Sequence, residues 1–437
     1  MTDLSRTRGG TTGAVVVGSV VTGLAVYVFQ ALGTHALGDE GYAPIGVLWT
    51  IQYLVMTVAL LPVETYLGRL HASSGGDPRA LPRAVARFSA WIGGVAVLLG
   101  AAAWVFRGPL FGGAGDMALL VAVIVVSYGM LTVIRGHLVG RERFVAYAVV
   151  TGLESVVRIV VALPLVVVAP STRGLAWTLP VGALGVAAWW LLSGARRSAG
   201  VSAAAGAPPA GAELGASAGR YLLATTAANA AAQTLLAAGP LVLIALGASA
   251  AEVSVFFVVA TAARVPLVFA FGGLLSRVLP PLTALARDDR RRMRSLVVAI
   301  GAATPPASVV AGLAGALVGP AAVALLFGAV FRPDPWLAAT VTAGVVLATG
   351  AQVVTQCLIA MGAETRLVLP WTLALVAGAA AVVALPGGAL PRTAVAVVVG
   401  ETAAVAGLVA AALRAGVQRP RLRVRYSVVS KWNSSLK

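Results

Sequence analysis

Glu154 and Arg158 stand four residues apart inside an apolar stretch, Gly152-Leu153-Glu154-Ser155-Val156-Val157-Arg158. On a helix that spacing puts the carboxylate and the guanidinium on one face, where they can neutralise each other. A charge at the bilayer centre costs roughly 2.5 to 3.5 kcal/mol on the mildest scale, so such residues persist with a partner or a pathway to serve. The pair can therefore be purely structural or can contact a substrate. Three more ionisable residues, Glu64, Arg264 and Glu401, lie at or within apolar stretches. Arg264 has no acid within a helical turn, so its partner is on another helix, in water or in a substrate. A guanidinium facing a hydrated cavity suits a diphosphate, because its planar fork presents several donors to phosphate oxygens. Glu401 and Glu64 are candidates for holding a coupling ion or for structural pairing, Glu64 with Arg69. Asn229 with Gln233, and Gln352 with Gln356, make two polar i,i+4 pairs. They can hydrogen-bond between helices or line a cavity to meet sugar hydroxyls.

The elements that position these residues are set by composition. With 59% hydrophobic and 11% charged residues over 437 positions and a mean hydropathy of +0.93, the chain cannot form soluble domains with a polar exterior. It reads as an all-α polytopic membrane protein. About twelve apolar stretches are each long enough for the roughly 30 Å hydrocarbon core: 13–35, 42–66, 86–106, 116–138, 144–169, 173–194, 218–246, 251–277, 294–318, 336–361, 365–386 and 391–415. The runs are continuous, whereas a barrel strand alternates polar and apolar residues. The first stretch follows Arg6 and Arg8 as a signal peptide would, but its length marks an uncleaved span. The sole cysteine, Cys357, excludes a disulfide within the chain.

Charge sets the orientation. Of 32 basic residues, 26 fall in or beside the N-terminal tail, the even-numbered connections and the C-terminal tail. Arg107, Arg173, Arg332 and Arg392 fall on the other side, and Arg158 and Arg264 within spans. By the positive-inside rule both termini are cytoplasmic. The net charge of +17 thus reflects topology and attraction to anionic inner-leaflet lipid rather than nucleic-acid binding.

The chain also resembles itself at an offset of roughly 200 residues. Ala36-Leu37-Gly38 with Glu40 recurs as Ala245-Leu246-Gly247 with Glu252, and Leu138-Val139-Gly140-Arg141-Glu142 as Ala360-Met361-Gly362-Ala363-Glu364. Both matches fit a division into six spans and six, with the halves inserted in one orientation and related by a parallel pseudo-twofold axis. The expected organisation is an N-lobe at 1–194, a cytoplasmic linker at 195–217 rich in Ala, Gly, Ser and Pro, a C-lobe at 218–415, and a basic tail at 416–437. Prolines inside spans, among them Pro62, Pro240 and Pro266, predict kinks.

The chain resembles the polysaccharide transporter branch of the multidrug, oligosaccharidyl-lipid and polysaccharide (MOP) flippase superfamily. The resemblance rests on Leu37-Gly38-Asp39-Glu40-Gly41-Tyr42, on Glu64 to Arg69, on Arg135 to Arg158, on Glu252 to Pro281 and on Gln356 to Arg366. It implies two six-helix lobes around a central cavity that opens alternately to each side, moving a lipid-linked oligosaccharide or polysaccharide precursor outward. Twelve spans are fewer than is usual for exporters of the peptidoglycan precursor, which points away from that substrate. The alternative is an ion-coupled exporter of organic cations on the same fold. The partners expected are the lipid-linked glycan, anionic membrane lipids and glycan-assembly proteins. No catalytic constellation, phosphate loop or metal-spaced His/Cys cluster is present, so no enzyme activity, cofactor or metal is expected. A composition rich in Ala, Val, Gly and Arg with two lysines suggests a GC-rich genome, and the expected location is the cytoplasmic membrane of a prokaryote.

The charge asymmetry predicts a labelling pattern. In a background lacking Cys357, single cysteines at Ser202 and Ser427 should resist a membrane-impermeant thiol reagent in intact cells, whereas one at Gly38 should react. Ready labelling of Ser202→Cys or Ser427→Cys from outside would overturn the orientation.

Overall fold

The computed structural model describes the backbone of residues 3–73, 80–192, 216–265 and 281–415. Regular structure among these residues is entirely helical. Most of the expected linker, the 416–437 tail, Pro266 and the Arg69 side chain lie outside the described residues. Nine described helical stretches are long and apolar enough to cross a membrane, and one of them, Val20–Gly68, is 49 residues long.

That long stretch holds two of the expected spans. The helix Asp3–Leu54 is broken at Gly38, whose φ of 68° and ψ of −174° suit glycine alone. We call its first arm, 3–37, α1, and its second arm, from 39 on, the start of α2. The expected connection at 36–41 is therefore a one-residue break with no loop. α2 continues through a π-helical turn, Val55–Leu60, into Leu61–Ser73. The π turn sits just ahead of Pro62, which lacks the N–H that would reach the Val58 carbonyl and crowds it with its ring. Widening the helix there accommodates both problems without a sharp kink.

The remaining rods are α3 (Ala80–Val105), α4 (Gly115–Gly140), α5 (Phe144–Val168), α6 (Thr172–Leu192), α7 (Ala216–Ala237, continued as Gly239–Ala245), α8 (Ala250–Ala263), α9 (Arg290–Phe327), α10 (Pro335–Ala360), α11 (Val368–Ala384) and α12 (Ala389–Ala415). α7 bends by 63° at its break, where Pro240 follows. α9 spans 38 residues, well beyond the expected 294–318, and stays helical through Pro305, Pro306 and Pro320.

The internal resemblance has a backbone counterpart. After α4, the Arg143 N–H donates to the Leu138 carbonyl at 2.9 Å, and Glu142 is left-handed with φ 56°. After α10, the Ala363 N–H donates to the Leu358 carbonyl at 2.9 Å, and Gly362 is left-handed with φ 67°. These matching helix ends pair Glu142 with Gly362, which shifts the register by two residues from the sequence match of Gly140 with Gly362.

One half packs α1 on α5, α2 and α3 on α4, and α6 on α4 and α5. The other packs α9 on α10, α11 on α12, α10 on α12 and α7 on α11. At the end away from the basic connections the halves share one core. There Tyr42 of α2 packs against Phe257 of α8 and Phe331 after α9, with ring centroids 6.3 and 6.4 Å away. A second apolar core, built around Met293, Val354 and Leu408, stays within the other half, towards the basic end. The halves are thus sealed at one end and parted by cavities towards the other.

Within the first half, α5 and α6 approach most closely at Gly182, where a Cβ would collide with the Glu154 carbonyl. Gly182→Ala should therefore push α5 and its charge pair aside and destabilise the fold by about 1–3 kcal/mol. Gly94→Ala on α3, which would meet nothing within 4 Å, should be neutral. Thermal melts of the detergent-purified variants compare the two. Because Gly38 needs a positive φ, the outside reporter cysteine is better placed at exposed Glu40.

Candidate functional site

Between the two halves lies a cavity of about 450 Å³. Its wall is built by Tyr27 and Gln30 of α1, Trp49, Gln52 and Tyr53 of α2, Tyr128 and Arg135 of α4, Tyr147 to Arg158 of α5, and Thr261 and Arg264 at the end of α8. Among the described residues three guanidiniums and one carboxylate line it, so two positive charges are formally uncompensated within that lining.

The Glu154–Arg158 pair forms as the spacing predicts, and both side chains are buried. The Arg158 Nη2 donates to Glu154 Oε1 and to the Tyr128 hydroxyl. The Tyr128 hydroxyl donates to Glu154 Oε1 at 2.5 Å, and the Ser155 hydroxyl to Glu154 Oε2 at 3.0 Å. Both carboxylate oxygens are thus satisfied. The Arg158 guanidinium also lies 5.0 Å from the centroid of Trp49, which stacks on Phe29 at 5.4 Å. The aromatic face adds a cation–π attraction that holds the guanidinium against the wall.

Arg264 occupies its place for a backbone reason. Pro240 cannot donate the N–H that would close a helical bond to the Leu236 carbonyl. The Arg264 Nη2 donates to that carbonyl instead. Its Nε is buried without a partner among the described residues. Glu401, fully buried on α12 with neither carboxylate oxygen hydrogen-bonded among the described residues, lies within electrostatic reach of Arg264. The acid that the sequence could not place near Arg264 is therefore on another helix.

Arg135, counted by sequence among the basic residues in or beside the even-numbered connections, is buried in α4 and faces the cavity. Glu64 lies near it and takes a hydrogen bond from Tyr147. Arg135 Nε, Arg158 Nε, both amide atoms of Gln30, Gln52 Oε1 and the Thr151 hydroxyl are buried without partners among the described residues. Buried polar atoms are ordinarily hydrogen-bonded, so this convergence marks a surface built to face water or a polar ligand. Sequence reasoning passed over Gln30, Gln52 and the four tyrosines; the available signal was amides and phenols inside apolar spans.

Gln233 does not stand free, because it accepts the Tyr53 hydroxyl at 2.7 Å across the halves. The Asn229 Nδ2 donates to the Thr57 carbonyl in the π turn at 3.0 Å. Asn229, Gln352 and Gln356 line a smaller pocket of about 220 Å³, together with Thr225, Thr226, Thr355 and Trp371, opposite Pro62 and Thr65 of α2. No charged side chain lines it. The two Tyr53 and Asn229 bonds tie α2 to α7 beside it. Among the described residues no group of three or more His, Cys, Asp or Glu is placed to hold a metal ion.

No protein-family model matches the chain, and no curated protein matches it in sequence. Solved structures do resemble it. An inward-facing multidrug resistance MATE family transporter of the MOP superfamily aligns with a TM-score of 0.64 and 15% identity, over 91% of this chain and 94% of that one. An outward-facing transporter of the same description aligns at 0.52 with 14% identity, over 93% and 95%. A MOP superfamily transporter from Pyrococcus furiosus, described as having a binding pocket of reverse polarity that suggests a different function, aligns at 0.59 with 14% identity, over 93% and 95%. The chain is a multi-pass membrane protein with the fold of MOP-superfamily transporters.

Proposed function

We propose that this protein moves a lipid-linked oligosaccharide or polysaccharide precursor from the cytoplasmic to the outer leaflet by alternating access. The observation that carries the reading is the excess of guanidinium in the central cavity. Arg135, Arg158 and Arg264 converge there, and the one lining carboxylate is already fully bonded. A diphosphate leaving bulk water for a low-dielectric interior needs such donors to offset its desolvation. The uncharged amide and hydroxyl pocket towards the basic end suits the attached sugars. With the basic end cytoplasmic, the seal around Tyr42 would close the outer side and leave the substrate site open inward.

The multidrug transporters among its structural neighbours favour the alternative, export of organic cations. The charge of the cavity weighs against it, since a cation would meet three guanidiniums and a carboxylate already engaged by Arg158, Tyr128 and Ser155. The Pyrococcus furiosus neighbour, with its pocket of reverse polarity, supports the idea that one fold serves substrates of opposite sign. In this reading Glu401 and Glu64, within electrostatic reach of Arg264 and Arg135 respectively, are the candidates for coupling an ion.

Because Arg264 also caps the Leu236 carbonyl, its removal confounds folding with transport. Arg264→Gln keeps an N–H donor for that carbonyl and removes the charge. It should retain membrane abundance and lower glycan export about tenfold or more, the scale of one lost hydrogen bond between charged groups. Arg264→Lys should fall between the two. Surface glycan in a strain dependent on this protein, with abundance measured in the same cells, reads both. Unimpaired export by Arg264→Gln would remove the phosphate role, and a gain in cationic-drug resistance would favour the alternative.

The fifth-helix pair gives a second test. Glu154→Leu leaves Arg158 buried and uncompensated, a change on the order of 3–5 kcal/mol, and should deplete the protein from the membrane. The Glu154→Leu/Arg158→Leu double variant should restore abundance. If Arg158 contacts phosphate, that restored protein should still export poorly; full export would assign the pair a structural role alone.

A further inference from the structure

A third cavity, of about 840 Å³, opens between α2, α3 and the start of α7, close to the basic end. Its wall is mainly apolar, with Val58 and Val63 of α2, Phe88 and Trp91 of α3 and Leu223 of α7. Leu223 is 71% exposed and Trp91 43% exposed. Arg83 and Arg87, one turn apart on α3, complete the lining. Both are exposed, and among the described residues neither pairs with a carboxylate. Pro62 and Thr226 belong to this groove and also to the uncharged pocket of α7 and α10. The groove thus joins an apolar channel to two guanidiniums at one end and to a polar pocket at its side.

We infer that this groove seats the hydrocarbon tail of a single polyprenyl-type lipid phosphate, with Arg83 and Arg87 holding the phosphate and the adjoining pocket receiving its head group. The inference rests on the glycan-carrier reading above and adds to it the place where the lipid is first bound. Charge complementarity selects an anionic lipid, and long arginine stems can lie along the apolar wall with their heads at the membrane interface. Continuity with the uncharged pocket selects a lipid whose phosphate carries something larger and polar. The three-carbon polyol of phosphatidylglycerol is much smaller than a sugar chain and would leave most of that pocket empty.

The test uses the full chain in nanodiscs and two photoactivatable probes at equal mole fraction, a diazirine-bearing polyprenyl diphosphate and a diazirine-bearing phosphatidylglycerol. Peptide mapping locates the crosslinks. The polyprenyl probe should label residues 58–70 and 80–91 in preference to phosphatidylglycerol. Arg83→Gln/Arg87→Gln should reduce that labelling about tenfold or more, on the scale of one lost charged hydrogen bond. Leu223→Trp, which fills the groove and leaves its charges and the topology intact, should reduce it as well. Equal labelling by both lipids would mean annular lipid only and overturn the assignment, as would undiminished labelling of either variant. Arg264→Gln separates the two proposals. If it exports glycan normally while the groove still labels selectively, the central phosphate role falls and the groove stands; if export is lost but selective labelling never occurs, the reverse holds.

Discussion

Inside a bilayer no solvent is at hand to satisfy a backbone carbonyl or a charge, so every departure from a straight helix must be answered by another part of the chain. The bend of α7 shows how far one such departure reaches. Pro240 frees the Leu236 carbonyl, Arg264 of α8 answers it, and Glu401 of α12 lies within reach of the charge so introduced. A single missing N–H is thereby answered by a side chain of a second helix at the cavity wall. The same logic orders α2, where the π turn ahead of Pro62 presents the Thr57 carbonyl to Asn229 of α7. Backbone irregularity and cavity polarity have a common origin in this fold.

The two halves are held together unevenly. At one end, aromatic packing around Tyr42 makes a continuous core from both; towards the other, α2 meets α7 at a contact that includes the hydrogen bonds of Tyr53 and Asn229 and is flanked by cavities. Polar bonds beside a hydrated cleft can be exchanged for bonds to water at small net free energy, whereas opening the aromatic end exposes large apolar surface. The arrangement is one in which the polar contacts can rearrange while the aromatic end remains closed, which suits a cavity that admits solute from the basic side.

Much of this was legible in the sequence, for identifiable reasons. An all-helical, many-span membrane fold followed from hydropathy alone, because the hydrocarbon thickness fixes how long an apolar run must be; against the twelve spans expected, nine described stretches qualify, or ten with the bent α7, and one of the nine holds two expected spans. The Glu154–Arg158 contact followed from helical periodicity, which is local. Arg135 was misplaced because it lies near the end of its span, where a side chain pointing inward and one pointing to water have the same sequence context. The Leu236 carbonyl as the partner of Arg264 could not be read, since nothing in one chain of letters brings the end of α8 against the bend of α7. Gln233 was read as an interhelix hydrogen bond or a sugar contact, and it makes the former, though its partner Tyr53 is set by the approach of the halves and could not be named from sequence. The repeat was detected but in a shifted register: letters matched Gly140 to Gly362, while the left-handed backbone position in the first half is held by Glu142.

Tyr42 at the sealed end is fully buried, and its hydroxyl has no partner among the described residues. A phenol deprived of hydrogen bonds is less stable than one in water by about 1–3 kcal/mol, and it would recover that difference once the seal parts and water enters. The ring therefore holds the two halves together by its face while its oxygen favours their separation. Such a residue acts as a spring under slight compression, leaving the sealed arrangement shallower than its aromatic packing alone would make it.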